Sequence, residues 1–100
     1  MKDIISKLNK VFDSRIRLGI MSILMVNDWV DFNTLKGFLE ITDGNLASHL
    51  SNLERNKLVE MKKQFIGRKP NTRYRATTKG RELFKEHLEN LSKLIDSQNS

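Results

Sequence analysis

"ITDGNLASHLSNLERNKL", residues 41–58, is the stretch on which the fold turns. Thr42 brings a short hydroxyl side chain to the place where a helix N-cap needs one. Leu46, Leu50 and Leu53 then follow at spacings of four and three, which puts all three on one face of a helix spanning residues 42–56. The polar side of the same segment carries Asn45, Ser48, His49 and Asn52, with Gly44 a point of close backbone approach. Such a helix lies on a core along one side and offers hydrogen-bonding groups along the other.

Working upstream, Asn33 is the expected cap of a short helix with Leu35, Phe38 and Leu39 on its inner face, ending only about three residues before Thr42. Two short helices joined by so tight a turn, the second polar on its outside, form a helix-turn-helix pattern. Asn27 and Asp28 break the chain, and Trp29, Val30 and Phe32 favour a short strand. Between residues 16 and 25, Ile16, Leu18, Ile20, Met21, Ile23, Leu24 and Met25 encircle a helix, as in an element buried on most sides, with Asp13 or Ser14 as its cap. A first amphipathic helix is expected over residues 2–12 from Ile4, Ile5, Leu8, Val11 and Phe12.

Downstream of Leu58 the apolar period drops to two. Val59, Met61 and Phe65 share one face of a strand and Glu60, Lys62 and Gln64 the other, and Tyr74 and Ala76 alternate with Arg73, Arg75 and Thr77 in the same way. "GRKPN", residues 67–71, lies between them, so residues 58–77 should fold as a β-hairpin with a short basic tip, in which Pro70 either stiffens the loop for docking or serves as a plain turn former. Thr78 is the expected cap of a last helix over 78–97, in which Phe84, Leu88, Leu91 and Ile95 form an apolar seam. Ile4, Leu8 and Val11 repeat that spacing at the other terminus, which favours pairing of both terminal helices across a two-fold axis over plain core packing. The polar end "DSQNS" should fray. The fold class expected is mainly α with a small β-hairpin, in one domain over residues 1–100.

Charge is distributed unevenly. The chain of 100 residues has a formal net charge of +6, and residues 62–81 hold eight Lys or Arg and no Asp or Glu. An excess confined to one segment favours a docking surface for a polyanion over general solubility. Lys62, Lys63, Arg68, Lys69, Arg73 and Arg75 are the candidates for phosphate contacts. Lys79 and Arg81 fall in the first turn of the last helix, where their charge opposes the helix dipole and a bound phosphate would offset the cost. A membrane surface is a poorer partner, because these charges lack the apolar helical face of an interfacial helix.

Several function classes are excluded. No apolar run approaches the roughly 18 residues of a membrane span, and the start has no signal-peptide pattern, so a cytoplasmic location is expected. Cysteine is absent, which removes disulfides and thiolate metal sites. His49 and His87 have no metal-site spacing, and His87 is expected on the surface. Ser48 and His49 are neighbours about 100° apart on a helix and cannot face each other as nucleophile and base. No cofactor and no enzymatic activity are expected.

"ITDGNLASHLSNLERNKLV" followed by "FIGRKPNTRYRATTKGREL" closely resembles the winged-helix DNA-binding domains of prokaryotic transcription regulators related to the MarR and ArsR families, in a single-domain form. The similarity runs from about Leu18 to Leu88, and is carried by T-D-G-N-L-x-x-H-L, by G-R-x-P-x-T-x-Y and by the closing T-x-x-G-R. The resemblance implies that the helix 42–56 enters a DNA major groove and the hairpin 59–77 is the wing. Asn45, Ser48, His49 and Asn52 would face bases, and Arg68, Lys69 and Arg73 the backbone or minor groove. It implies a homodimer on a pseudo-palindromic duplex and a regulator that represses by occlusion. The pattern departs from the family at Asn56, where glycine often ends the recognition helix. A left-handed residue is therefore expected at Asn56. The competing reading is a protein-interaction module that binds an acidic partner through its basic hairpin.

Overall fold

The computed structural model describes residues 2–99. Five α-helices and a three-stranded antiparallel sheet follow in the order α1 (Lys2–Ser6), a 3-10 turn (Lys10–Phe12), α2 (Arg15–Met25), β1 (Val30–Asp31), α3 (Phe32–Leu39), α4 (Asp43–Arg55), β2 (Val59–Ile66), β3 (Lys69–Ala76) and α5 (Thr78–Asn99). The architecture is the expected one, mainly helical with a β-hairpin. The sheet order is β1-β3-β2, with Val30 opposite Tyr74 and Val59 opposite Ala76.

The core gathers at the level of α2 and the helix-turn-helix. Ile20, Met21 and Leu24 of α2, Leu35 of α3 and Leu46, Leu50 and Leu53 of α4 are buried together with Val59, Tyr74, Ala76 and Phe84. α2 is capped by Ser14, whose Oγ accepts from the Arg17 N–H at 3.2 Å. Thr42 caps α4 as expected, accepting from the Asn45 N–H at 3.2 Å.

Local chemistry corrects five expectations. The helix 2–12 is broken, because the Asn9 side chain accepts from the Val11 N–H and so competes with helix continuation, starting a separate 3-10 turn. Asp31 and not Asn33 caps α3: its Oδ1 accepts from the Thr34 N–H at 2.7 Å, and Thr34 holds the carboxyl below the ordinary carboxylate value. Phe38 points out of the core and is 70% exposed. The left-handed residue after α4 is Lys57, with φ 61°, because Asn56 keeps a helical φ and donates its side-chain amide to the Asn52 carbonyl at 2.8 Å. Lys57 and Leu58 then bond back to Glu54 and Leu53 in a Schellman arrangement that buries Leu58. Finally, α5 is capped by Thr77, one residue before the expected Thr78, since it is the Thr77 Oγ1 that accepts from the Gly80 N–H at 2.9 Å.

Gly80 shows why the T-x-x-G pattern stands at this junction. A Cβ there would lie 2.0 Å from the Leu58 carbonyl oxygen, so only glycine lets α5 start flush against the beginning of β2. The Leu58 carbonyl is held in place by the Thr77 N–H at 3.0 Å. Farther along α5 the buried stripe is Phe84, His87 and Asn90, facing the N-terminal segment. Phe12 packs edge-on against Phe84 at 5.3 Å, the Asn9 N–H donates to His87 Nδ1 at 3.4 Å and Asn90 donates to the Lys7 carbonyl. His87 is thus 5% exposed, contrary to its expected surface position, and burial lowers its pKa against a small opposing effect of Asp13. No described helix is long and apolar enough to cross a membrane.

Candidate nucleic-acid interface

α4 owes its orientation to its leucines. Leu46, Leu50 and Leu53 are essentially inaccessible, which turns the opposite side of the helix outward. At about 100° per residue, Ser48 and Arg55 lie nearly opposite the leucines, flanked by Gly44 and Ser51. All four are exposed, as are Thr42 and Asn45. Asn52 and His49 lie toward one flank and are half-buried. Asn52 Oδ1 accepts from Asn56 Nδ2 at 3.4 Å, and His49 Nδ1 is 3.1 Å from Arg17 Nη1 of α2. Ser51 and Arg55 escaped the sequence reading, although a helical projection centred on the leucines places both on the outer face.

The hairpin turns on two residues. Gly67 takes φ +64° and Arg68 does not share it, so the strands close directly through the Ile66–Lys69 pair. Pro70 is therefore not at the tip but inside β3, opposite Phe65. It is tolerated because β1 pairs only with Arg73 and Tyr74, which leaves the other edge of β3 open at residue 70. Alternation places Val59, Met61, Lys63, Phe65, Pro70, Thr72, Tyr74 and Ala76 on one face, and Glu60, Lys62, Gln64, Ile66, Lys69, Asn71, Arg73 and Arg75 on the other. Beyond Met61 the first face leaves the core: Phe65 is 74% exposed, and Ile66 behind it is 55% exposed.

The cations of this segment differ in what they touch. Arg75 pairs with Glu60 through its Nε, reaches Asp28 at 3.8 Å and stacks on Trp29 with its guanidinium 4.5 Å from the ring centroid. Lys62 sits over the same ring at 5.9 Å, and Arg73 donates to Asn71 at 3.0 Å. Lys79 donates to the Asn56 carbonyl at 3.2 Å and Arg81 to the Met25 carbonyl at 3.1 Å. These carbonyls end α4 and α2, so helix C-termini offset the charge of the two cations at the start of α5. Among the described residues, the side chains of Lys63, Arg68 and Lys69 have no hydrogen-bond or ion-pair partner.

The terminal residues separate into two groups. Phe84 belongs to the core, and Val11 packs against it. α1 packs on α5, leaving Ile4, Leu8 and Leu91 half-buried and Leu88, Ile95 and Ile5 exposed at 46%, 60% and 53%.

Residues 16–95 match the model of the winged helix DNA-binding domain. The chain belongs to that family. Within that fold α4 is the second helix of the helix-turn-helix and the β2–β3 hairpin is the wing. An uncharacterized protein of Methanocaldococcus jannaschii is 40% identical over 79 residues, which cover 79% of this chain and 86% of that protein. The structure of a transcriptional regulator homologue from Pyrococcus horikoshii superposes with a TM-score of 0.85 at 34% identity, covering 99% of this chain and 96% of that one. MepR of S. aureus, solved in complex with DNA, has the same fold at 19% identity and a TM-score of 0.76, covering 99% of this chain and 82% of its own. The winged helix is thus of the transcriptional-regulator type.

Proposed function

We propose that this winged helix is a sequence-specific, double-stranded DNA-binding transcriptional regulator that acts in the cytoplasm as a homodimer and represses by occluding its site. One observation carries the reading: the outward face of α4 is lined with hydrogen-bonding groups, on a helix whose other face is fixed in the core, beside a wing whose tip cations have no side-chain partner among the described residues. A helix so held can present Asn45, Ser48, Asn52 and Arg55 to base edges, while Lys63, Arg68 and Lys69 neutralise phosphates. The relationship to regulator homologues and the fold shared with the DNA-bound MepR support the assignment. Leu88, Leu91, Ile95 and Ile5 supply an apolar surface for dimerisation, with Ile4 and Leu8 at its edge. A two-fold axis there would bring two recognition helices to major grooves roughly 34 Å apart.

The test is a fluorescence-anisotropy titration of duplex DNA at several salt concentrations, with oligomeric state followed by light scattering. Binding by a dimer that weakens steeply with salt is the expected result. Asn45→Ala and Asn52→Ala should each reduce preference for the selected site by about 1–3 kcal/mol while leaving random duplex bound as before. Phe65 and Ile66, exposed beside the tip cations, favour a second reading, in which the wing docks on an acidic protein with an apolar pocket. Absence of duplex binding at low salt would decide for it.

A further inference from the structure

Arg17 lies in the first turn of α2 and reaches two other elements. Its Nε donates to the Val11 carbonyl, and its Nη1 stands 3.1 Å from His49 Nδ1 on the recognition helix. A guanidinium carries donors only and remains charged. The contact therefore requires a lone pair on His49 Nδ1, which an imidazolium does not have, and the single proton of the neutral ring must sit on Nε2. Partial burial and the charge of Arg17 both lower the His49 pKa, in keeping with a neutral ring.

The anchor is independent of α4. Val11 belongs to the 3-10 turn, whose Phe12 packs on Phe84 and whose capping residue Asn9 bonds His87. Arg17 is thus tied to the base of α5 as well as to α2, and the imidazole hangs from it by one nitrogen. The other nitrogen, on the far side of the ring, faces away from Arg17.

We propose that Arg17 is a positioning residue that fixes His49 in the Nε2–H tautomer, so that the recognition helix carries at this point a donor without an acceptor. Resting on the DNA-binding reading above, this has a specific consequence for base choice. In the major groove guanine shows acceptors only, at N7 and O6, whereas cytosine shows only its amino donor. His49 so fixed favours guanine over cytosine at the base it faces. A histidine free to exchange tautomers would accept either.

The experiment is a long-range proton–nitrogen NMR correlation of the histidine side chains in the free full-length chain, followed by a site-selection comparison of variants. In the wild type His49 should show one tautomer, with Nδ1 unprotonated. Arg17→Ala should give exchange-averaged nitrogen shifts at His49, and Arg17→Lys, which also offers only donors, should restore much of the wild-type pattern. On DNA, Arg17→Ala should reduce the preference for guanine over cytosine at one position of each half-site by about fivefold and leave the other positions unchanged. An Nδ1–H tautomer in the wild type would overturn the proposal without any variant, so a poorly folded Arg17→Ala cannot shelter it. Equal loss of preference at all positions would reduce Arg17 to a packing residue and overturn it too. The spectrum of the free chain owes nothing to DNA: a fixed tautomer in a protein that binds no duplex would refute the DNA-binding reading, and base selection with it, while sparing the Arg17 contact.

Discussion

The two ends of the wing carry similar charge and use it differently. At the base, Lys62, Arg73, Arg75, Lys79 and Arg81 meet Trp29, Asn71, Glu60, Asp28 and the carbonyl ends of α2 and α4. At the tip, the exposed side chains of Lys63, Arg68 and Lys69 have no hydrogen-bond or ion-pair partner among the described residues. The difference follows from packing: the base is sandwiched between β1, α5 and the end of α4, so its long side chains find partners, whereas the tip projects beyond the core. Positive charge in a segment therefore overstates the charge available for docking, and fold stability should depend on the base while affinity for a polyanion depends on the tip.

The sharpest way to break that division is Gly80→Ala. With the added carbon 2.0 Å from a backbone oxygen that no rotamer change can relieve, α5 must lift off Leu58, and we expect a loss of about 3 kcal/mol in urea unfolding. An unfolding midpoint close to wild type would mean that the base is not tightly packed. Next in size is Arg75→Ala. The side chain is 41% exposed and its ion pairs are weakened by water, so the loss comes chiefly from the Trp29 stack and its buried methylenes. A destabilisation of about 1–2 kcal/mol is expected, with the salt dependence of duplex binding unchanged. A flatter salt dependence instead would place Arg75 on phosphate and erase the distinction.

Much of this fold was legible because it is written in local periods. Leucines at 4 and 3 spacing defined α4, and alternation after Leu58 gave the hairpin and both of its faces, since side-chain direction in helix and strand depends only on neighbours a few positions away. The features that escaped depend on tertiary partners. Lys79 and Arg81 find their carbonyls 23 and 56 residues away in sequence, and His87 is buried by a turn 78 residues upstream. The seam assigned to Phe84, Leu88, Leu91 and Ile95 split for the same reason: Phe84 entered the core because Phe12 was there to meet it, whereas Leu88 and Ile95, within about 40° of it around the helix, stayed exposed. Caps were misplaced by one or two residues where two suitable side chains stood close together, as with Thr77 and Thr78. On α4, short polar side chains mark Asn45, Ser48, His49 and Asn52 in the sequence, whereas Arg55, nearly opposite the leucines, is marked only by the helical projection.

A smaller effect, of opposite sign, tests the end of α4. Lys57 holds a left-handed backbone that glycine adopts without strain, and its ammonium has no partner among the described residues. Lys57→Gly should raise stability by about 0.5–1 kcal/mol, the relief of native strain exceeding the added freedom of the unfolded chain. An unchanged or lower thermal midpoint would show that the Schellman turn carries no strain at Lys57. Because Lys57 stands at the base, the substitution should also leave duplex affinity nearly unaltered, in contrast to a charge removed from the tip.

The smallest expected change in stability belongs to Arg68→Ala with Lys69→Ala, and it isolates function from fold. Both side chains are exposed beyond the last packed residues, so unfolding should move by less than about 0.5 kcal/mol. If both side chains neutralise phosphates, the slope of log affinity against log salt should fall by about 0.9 for each phosphate left unneutralised per protomer, and binding to selected and random duplexes should weaken together. A slope that stays at the wild-type value would take the tip out of the DNA interface and leave the base-reading helix to act without its wing. A loss confined to the selected site would instead assign Arg68 to base recognition, because phosphate contacts alone carry no sequence information. The comparison between base and tip thus rests on two slopes and two unfolding curves: Arg75→Ala should change the curve and spare the slope, and the tip variant should do the reverse.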